Sequence, residues 1–292
     1  MTRILILGAG GMLGHKLCQR FNGRFDTWAT VRSSPSTYSK FQLLDDSNLL
    51  GGVDAANLDS VMRAVATVQP NVIINCIGII KQLSAAKDPI ASLTINSLFP
   101  HRLALICQSA GIRMIHISTD CVFSGRKGMY TEEDPSDAED LYGRSKFLGE
   151  VGTQGCLTLR TSIIGRELET ASGLVEWFLS NRGGRVRGFT NAIYSGFTTL
   201  ALADTIGELI DSWPELSGVY QVSSEPIDKF TLLIMLRDAF GVDIEIDPYA
   251  DFVIDRSLDS SHFWAKTKLA TPTWRAMMQA LAEDTTPYAT WR

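Results

Sequence analysis

At its start the chain runs through Arg3-Ile4-Leu5-Ile6-Leu7 and breaks into Gly8-Ala9-Gly10-Gly11-Met12-Leu13-Gly14. A helical pattern then reaches Phe21. Nothing else in the sequence restricts the fold as much. A short run that is apolar at every position suits a parallel strand covered on both faces, not a half-exposed one. In a strand-turn-helix unit the first glycine permits a tight turn. The second lets backbone approach a diphosphate, and the third lets the helix pack close to the strand. The diphosphate then rests on the helix N-terminus, where N–H groups lack partners. Gly8, Gly11, Met12, Leu13 and Gly14 are therefore candidate dinucleotide contacts.

Strand and helix patterns alternate up to Ile163. Phe25–Val31, Leu49–Val53, Asn71–Ile77, Arg113–Thr119 and Leu157–Ile163 read as strands. Leu58–Val68, Ile90–Ala110 and Glu139–Val151 read as helices, with Pro100 expected to start a new helix within the second or to kink it. Ser33–Asp46 and Gly125–Pro135 are turn-rich loops. This alternation predicts an α/β fold, a doubly wound parallel sheet of the Rossmann type. Past Gly165 the pattern loosens. Gly173–Leu179, Thr198–Trp213 and Lys229–Phe240 read as helices, Gly218–Val222 as a strand, and Asn181–Gly188 is rich in glycine and arginine. The expected division is a dinucleotide-binding domain over 1–164, joined by part of 190–223, and a smaller substrate lobe mainly over 165–292.

Composition excludes some functions. A net charge of −5 with no basic run argues against a nucleic-acid surface. The five cysteines are scattered without a CxxC pair, which suits a reduced, cytoplasmic compartment. No run approaches the ~18 consecutive apolar residues of a membrane span, and Ile4–Leu7 is too short for a signal-peptide core.

The chemistry concentrates later. Tyr142 and Lys146 are four apart in a helical stretch, one turn apart on one face. A free phenol, with a pKa near ~10, is a poor acid at neutral pH. A neighbouring ammonium is expected to lower that value. Thr119 ends a strand, and ligands gather at the carboxyl ends of strands in open α/β sheets. Its hydroxyl is placed to hold a substrate carbonyl oxygen beside the phenol. Arg32 closes the second strand about twenty residues past the glycines, where an acid would bind a ribose 2′-hydroxyl. An arginine there favours NADP(H) over NAD(H). Asp54 faces an adenine or simply forms a turn. Asn75, Cys76 and Gly78 line the nicotinamide ribose or simply end a strand. His116 reads as a core histidine, Glu132-Glu133-Asp134 as a solvated loop, and no cluster has metal-ligand spacing.

With these residues in place, the chain resembles an extended short-chain dehydrogenase/reductase, most closely the dTDP-4-dehydrorhamnose reductase family. Ile117–Gly125, Tyr130–Asp134 and Tyr142–Glu150 carry the likeness, with Arg256–Ser260 and Pro272–Arg275 in the tail. The resemblance implies a catalytic triad of Thr119, Tyr142 and Lys146, with Lys146 also on the nicotinamide ribose. It implies reduction of a nucleotide-linked 4-keto-6-deoxy sugar at C4, as in polysaccharide biosynthesis. Lys81, Asp120 and Cys121 would border the sugar, and Arg187 and Arg256 would hold the diphosphate. A homodimer is compatible with this. Three departures stand out: Cys121 replaces an aromatic residue, Ser124 stands where the family often has an acid, and Asn75–Gln82 differs from the family's small-residue run. The superfamily's 4,6-dehydratases place Asp-Glu after the threonine, so Asp120-Cys121 disfavours elimination. Two alternatives remain: a 4-epimerase retaining NAD, and a dinucleotide-binding regulatory subunit of methionine adenosyltransferase.

Overall fold

The computed structural model describes residues 1–81 and 84–291. The central sheet comprises β1 (Arg3–Leu7), β2 (Asp26–Thr30), β3 (Leu49–Leu50), β4 (Val72–Asn75), β5 (Arg113–Thr119), β6 (Cys156–Thr161) and β7 (Gly218–Gln221). Their spatial order is β7-β6-β5-β4-β1-β2-β3, and every pairing is parallel. The chain starts mid-sheet, winds to one edge, then crosses over and winds to the other. That reversal opens a crevice at the carboxyl ends of β1 and β4, where ligands bind in such sheets.

β1 shows why the strands lack polar alternation. Ile4 and Ile6 join the apolar cluster on one face, Leu5 and Leu7 the cluster on the other. Helix α1 (Met12–Phe21) covers the first face. Helices α2 (Leu58–Val68) and α3 (Phe99–Ala110) cover the second, with Val61, Val65, Leu103 and Cys107 pointing inward. Each fully buried side chain of this size contributes about 1.5–3 kcal/mol. The first cluster continues from Ile4 through Phe197, Leu236 and Phe263 to Met277 and Tyr288. The C-terminal third thus shares a core with the sheet.

Several elements differ from the sequence reading. The helix α4 carrying Tyr142 spans only Leu141–Phe147. It tightens into i→i−3 bonds at Gly149 and Glu150. That turn swings Glu150 inward to a buried ion pair with Arg160 of β6, at 2.7 Å, and to the Ser118 hydroxyl. At Pro100 the structure agrees with the sequence reading, since a new helix starts there. Pro100 lies in the first turn of α3, where its missing N–H is no loss. A wide π-turn over Leu93–Leu98 precedes it. The 22-residue run Pro89–Ala110 is long and apolar enough to cross a membrane, although strict counting of consecutive apolar residues does not find it. Here it packs on the fold: Ser97 donates to the Ser145 carbonyl and His101 bonds the Leu148 carbonyl. Arg185–Phe189 is a strand, paired in parallel with Glu245–Tyr249. The weakly periodic tail forms helices at Ser261–Thr267 and Trp274–Ala282.

Candidate active site

Thr119 ends β5 and caps the tight turn Asp120–Val122. Its Oγ1 accepts the Cys121 N–H at 3.1 Å and donates to Asp120 Oδ1 at 3.1 Å. Helix α4 begins beside this turn, capped by Asp140, which accepts the Gly143 N–H at 2.8 Å. Gly143 lies so close to the turn that a Cβ would fall 2.1 Å from the Cys121 carbonyl oxygen. This approach sets the half-buried Tyr142 beside the Thr119 side chain. One turn on, Lys146 is 5% exposed, and its Nζ donates to the Ile117 carbonyl at 2.7 Å. The fold therefore brings Thr119, Tyr142 and Lys146 together.

Their electrostatics correct the expectation for the phenol. Burial pushes Tyr142 above its ordinary value. Cys121, Asp120 and Asp140 push the same way, and the Thr119 side chain opposes them. The Lys146 ammonium is turned onto the Ile117 carbonyl. The phenol is thus held protonated, the form that can donate. Burial lowers Lys146 to about 8, with Glu150 and then Cys76 opposing. Gly78 borders this lysine: a Cβ there would lie 3.9 Å from Nζ.

At the glycine turn, Gly8 has a φ of +90°. A Cβ on Gly14 would fall 2.1 Å from the Gly8 carbonyl oxygen, so only glycine allows α1 to start there. Gly11 caps α1 without a side chain, so the first-turn N–H groups at Met12 and Leu13 have no side-chain cap. Arg32 is exposed just past β2, close enough to Tyr38 to act on its phenol. Asp54 folds into a local turn, accepting the Ala56 N–H at 2.9 Å. Asn75 is occupied inside the sheet, between His116 Nδ1 at 3.0 Å and the Ile77 N–H at 3.1 Å. Burial pushes the Cys76 thiol up to about 12. His116 is a fully buried core residue.

On the substrate side, Lys81 is exposed and pairs with Asp140 at 2.7 Å. Gln82 lies outside the described residues. Arg256 reaches the catalytic turn: its Nε donates to the Phe123 carbonyl at 3.0 Å, and Nη1 lies 3.7 Å from Cys121 Sγ. Arg187 is not brought there. It is exposed on a two-stranded sheet, its guanidinium 5.0 Å from the Tyr249 ring centroid. The cause is register, since alternate residues of Arg185–Phe189 face solvent. The acidic loop is tied down as well, because Glu132 accepts the Gln221 N–H of β7 at 2.9 Å.

Two residues escaped the sequence reading. Asn96, in the π-turn, grips the Ile79 backbone at 2.9 and 3.0 Å and the Ser145 hydroxyl at 3.2 Å. Lys229 lies with Nζ 3.3 Å from the Tyr194 ring centroid, in the field of Asp120. The available signal was a lysine opening a helix, against the helix dipole. Among the described residues no group of three His, Cys, Asp or Glu is placed to hold a metal ion.

Comparison with known proteins matches residues 1–228 to the family model described as the RmlD substrate binding domain. The spore coat polysaccharide biosynthesis protein SpsK of Bacillus subtilis is 28% identical over 236 residues, covering 78% of this chain and 75% of that protein. A dTDP-4-dehydrorhamnose reductase of Mycolicibacterium smegmatis is 31% identical over 150 residues, 51% of this chain and 40% of that one. The methionine adenosyltransferase 2 subunit beta of Mus musculus is 29% identical over 256 residues, 82% of this chain and 72% of that one. The crystal structure of a dTDP-4-dehydrorhamnose reductase from Bacillus anthracis, in complex with NADP, superposes with a TM-score of 0.81. It is 21% identical, and the match covers 98% of this chain and all of that one. At that identity it shows the shared fold.

Proposed function

Because the chain belongs to the RmlD substrate binding domain family, we propose that it is an NADPH-dependent reductase of a nucleotide-diphospho-4-keto-6-deoxy sugar. The observation that carries this reading is the close approach of the Tyr142 helix to the turn after Thr119 at the carboxyl edge of β5, with Lys146 one turn behind. The glycine turn fits a dinucleotide: the cradle at Gly8 and Gly14 admits no Cβ, and the uncapped α1 terminus suits a diphosphate. Arg32 supports NADPH over NADH, as does the NADP of the Bacillus anthracis reductase. When bound, the reduced dinucleotide supplies a hydride to sugar C4.

The chain's own residues do the rest. Tyr142 donates its proton to the oxygen that gains charge at C4. Thr119 stands beside the phenol at the reacting edge, and Lys146 lies where it can reach a ribose. Proton donation of this kind contributes about 10²–10⁴-fold. Burial and Asp120 keep the Cys121 thiol protonated, up to about 12, so it is no base for dehydration. Five free cysteines support a cytoplasmic setting. Exposed Leu105, Phe147 and Leu148 on α3 and its neighbour α4 support a homodimer.

A second reading follows from the likeness to methionine adenosyltransferase 2 subunit beta over 82% of the chain: a dinucleotide-binding regulatory subunit. One experiment separates the two. NADPH oxidation is followed against dTDP- and UDP-linked 4-keto-6-deoxy sugars, with Tyr142→Phe as control. Turnover that falls about 10²–10⁴-fold in the variant, with cofactor affinity kept, supports the reductase. No turnover with any sugar, together with binding to a methionine adenosyltransferase, supports the regulatory subunit.

A further inference from the structure

We propose that Tyr288 and His15 are positioning residues for the dinucleotide: from the far end of the chain they hold the Gly11 carbonyl, and through that peptide they aim the Met12 N–H at the diphosphate. This rests on the dinucleotide reading above. His15 lies one turn into α1, and its ring is fully buried. Its Nδ1 is 2.9 Å from the Gly11 carbonyl oxygen, and its Nε2 is 2.7 Å from the Tyr288 hydroxyl. His15 and Tyr288 are 273 positions apart in the chain, so only the fold makes this contact.

The partners fix the direction of each bond. A carbonyl oxygen only accepts, so His15 Nδ1 carries the proton. Burial lowers the ring's pKa to about 4, so at neutral pH that is its single proton and Nε2 accepts. The Tyr288 hydroxyl therefore donates to Nε2. The Gly11 oxygen is held twice, by the ring and by the His15 backbone N–H at 3.1 Å. A trans peptide points its C=O and its N–H in opposite directions. Drawing the Gly11 oxygen along α1 therefore turns the N–H of the same peptide, that of Met12, outward from the helix N-terminus. No side chain caps that terminus, and an outward N–H there suits an anionic ligand.

Tyr288 is held by contacts that do not need its hydroxyl. Its ring centroid is 4.6 Å from the Arg166 guanidinium and 5.2 Å from Lys16 Nζ. Lys16 is 1% exposed. It pairs with Asp284 at 2.6 Å and donates to the Thr286 hydroxyl at 2.9 Å, which pins the segment ahead of Tyr288. Three residues on, the Trp291 ring meets Phe41 edge-on, 5.2 Å between centroids. Tyr38, 6.0 Å from Phe41, lies against Gly10, where a Cβ would fall 2.8 Å from its hydroxyl. The C-terminal segment therefore braces the glycine turn at two points: on Gly11 through His15, and on Gly10 through Phe41 and Tyr38. His15 and Tyr288 touch no atom of the dinucleotide in this account.

The test has two arms. In the cofactor-free protein, nitrogen-15 NMR with labelled histidine and methionine reads the His15 tautomer and the Met12 amide. His15 should carry its proton on Nδ1, and Tyr288→Phe should displace the Met12 amide resonance. A proton on Nε2, or an unmoved Met12 amide, overturns the proposal whatever the protein binds. The second arm measures the Kd for NADPH by its fluorescence. Tyr288→Phe should weaken binding by about three- to tenfold, the loss that one hydrogen bond implies, and His15→Leu by at least as much. Adding Tyr288→Phe to His15→Leu should then cost no further affinity, because the chain of bonds is already cut. Losses that add in the double variant overturn the proposal, since two residues that merely support the fold would act independently. His15→Asn, too short to reach Tyr288, takes the place of His15→Leu in that cycle if the leucine variant does not fold. Absence of NADPH binding in the wild type refutes the dinucleotide reading alone, and the NMR arm still decides whether Tyr288 sets the Met12 N–H.

Discussion

Replacing Gly143 by alanine sets two effects against each other. The position is helical, so propensity favours alanine by roughly 1 kcal/mol. The added Cβ, however, would lie 2.1 Å from the Cys121 carbonyl oxygen and 2.7 Å from the Ala138 Cβ. Carbon–oxygen contacts settle near ~3.3 Å, so α4 must retreat from the turn by about 1 Å. The obstacle is backbone, which cannot rotate away. Overpacking of this kind costs about 1–3 kcal/mol, which outweighs the propensity gain. The melting temperature should fall by a few degrees. Activity should suffer more, because the retreat carries Tyr142 away from Thr119. A displacement of about 1 Å at reacting groups can cost 10²-fold. Keto-sugar-dependent NADPH oxidation and thermal melts measure the two effects. NADPH affinity should change little, since the Gly8–Gly14 turn is untouched. A Gly143→Ala enzyme with kcat within about twofold of wild type would refute the close-approach argument.

Arg32→Asp should weaken NADPH by repelling the 2′-phosphate while leaving NADH less affected, and an unchanged preference would show that Arg32 is only a surface residue. His15 predicts a pH dependence of stability: its ring lies between the Gly11 carbonyl at 2.9 Å and the Tyr288 hydroxyl at 2.7 Å. Burial lowers its pKa from 6.5 to about 4. As pH falls from 6.5 toward 4 the unfolded chain takes up a proton that the folded protein refuses. Stability present at neutral pH is therefore lost on acidification, on the order of 3 kcal/mol. Urea melts at pH 7 and pH 5 should show a smaller loss for His15→Gln than for wild type, and equal losses would exclude His15 as the cause.

What was legible in the sequence is what short-range periodicity encodes. The run Arg3–Leu7, the glycines at 8, 11 and 14, and the spacing of Tyr142 and Lys146 each concern neighbours within a turn or two. Their geometry follows from residue type and spacing alone. The alternation of strand and helix gave the parallel sheet for the same reason. Boundaries were less legible because long-range partners set them. α4 stops at Phe147 because Glu150 is drawn inward to Arg160, and nothing local marks that.

By itself, then, the sequence determined the strand-turn-helix at the first glycines, the alternation of strand and helix along the chain and the one-turn spacing of Tyr142 and Lys146. Only the tertiary structure decided what surrounds that pair. It brought Arg256 to Cys121 and left Arg187 beside Tyr249. It set Lys229 on Tyr194, within reach of the Asp120 charge, and turned Lys146 toward the Ile117 carbonyl. The physical reason is that charge and burial act through space. A carboxylate's protonation state depends on whichever cations the fold carries to it, and no spacing along the chain records their arrival.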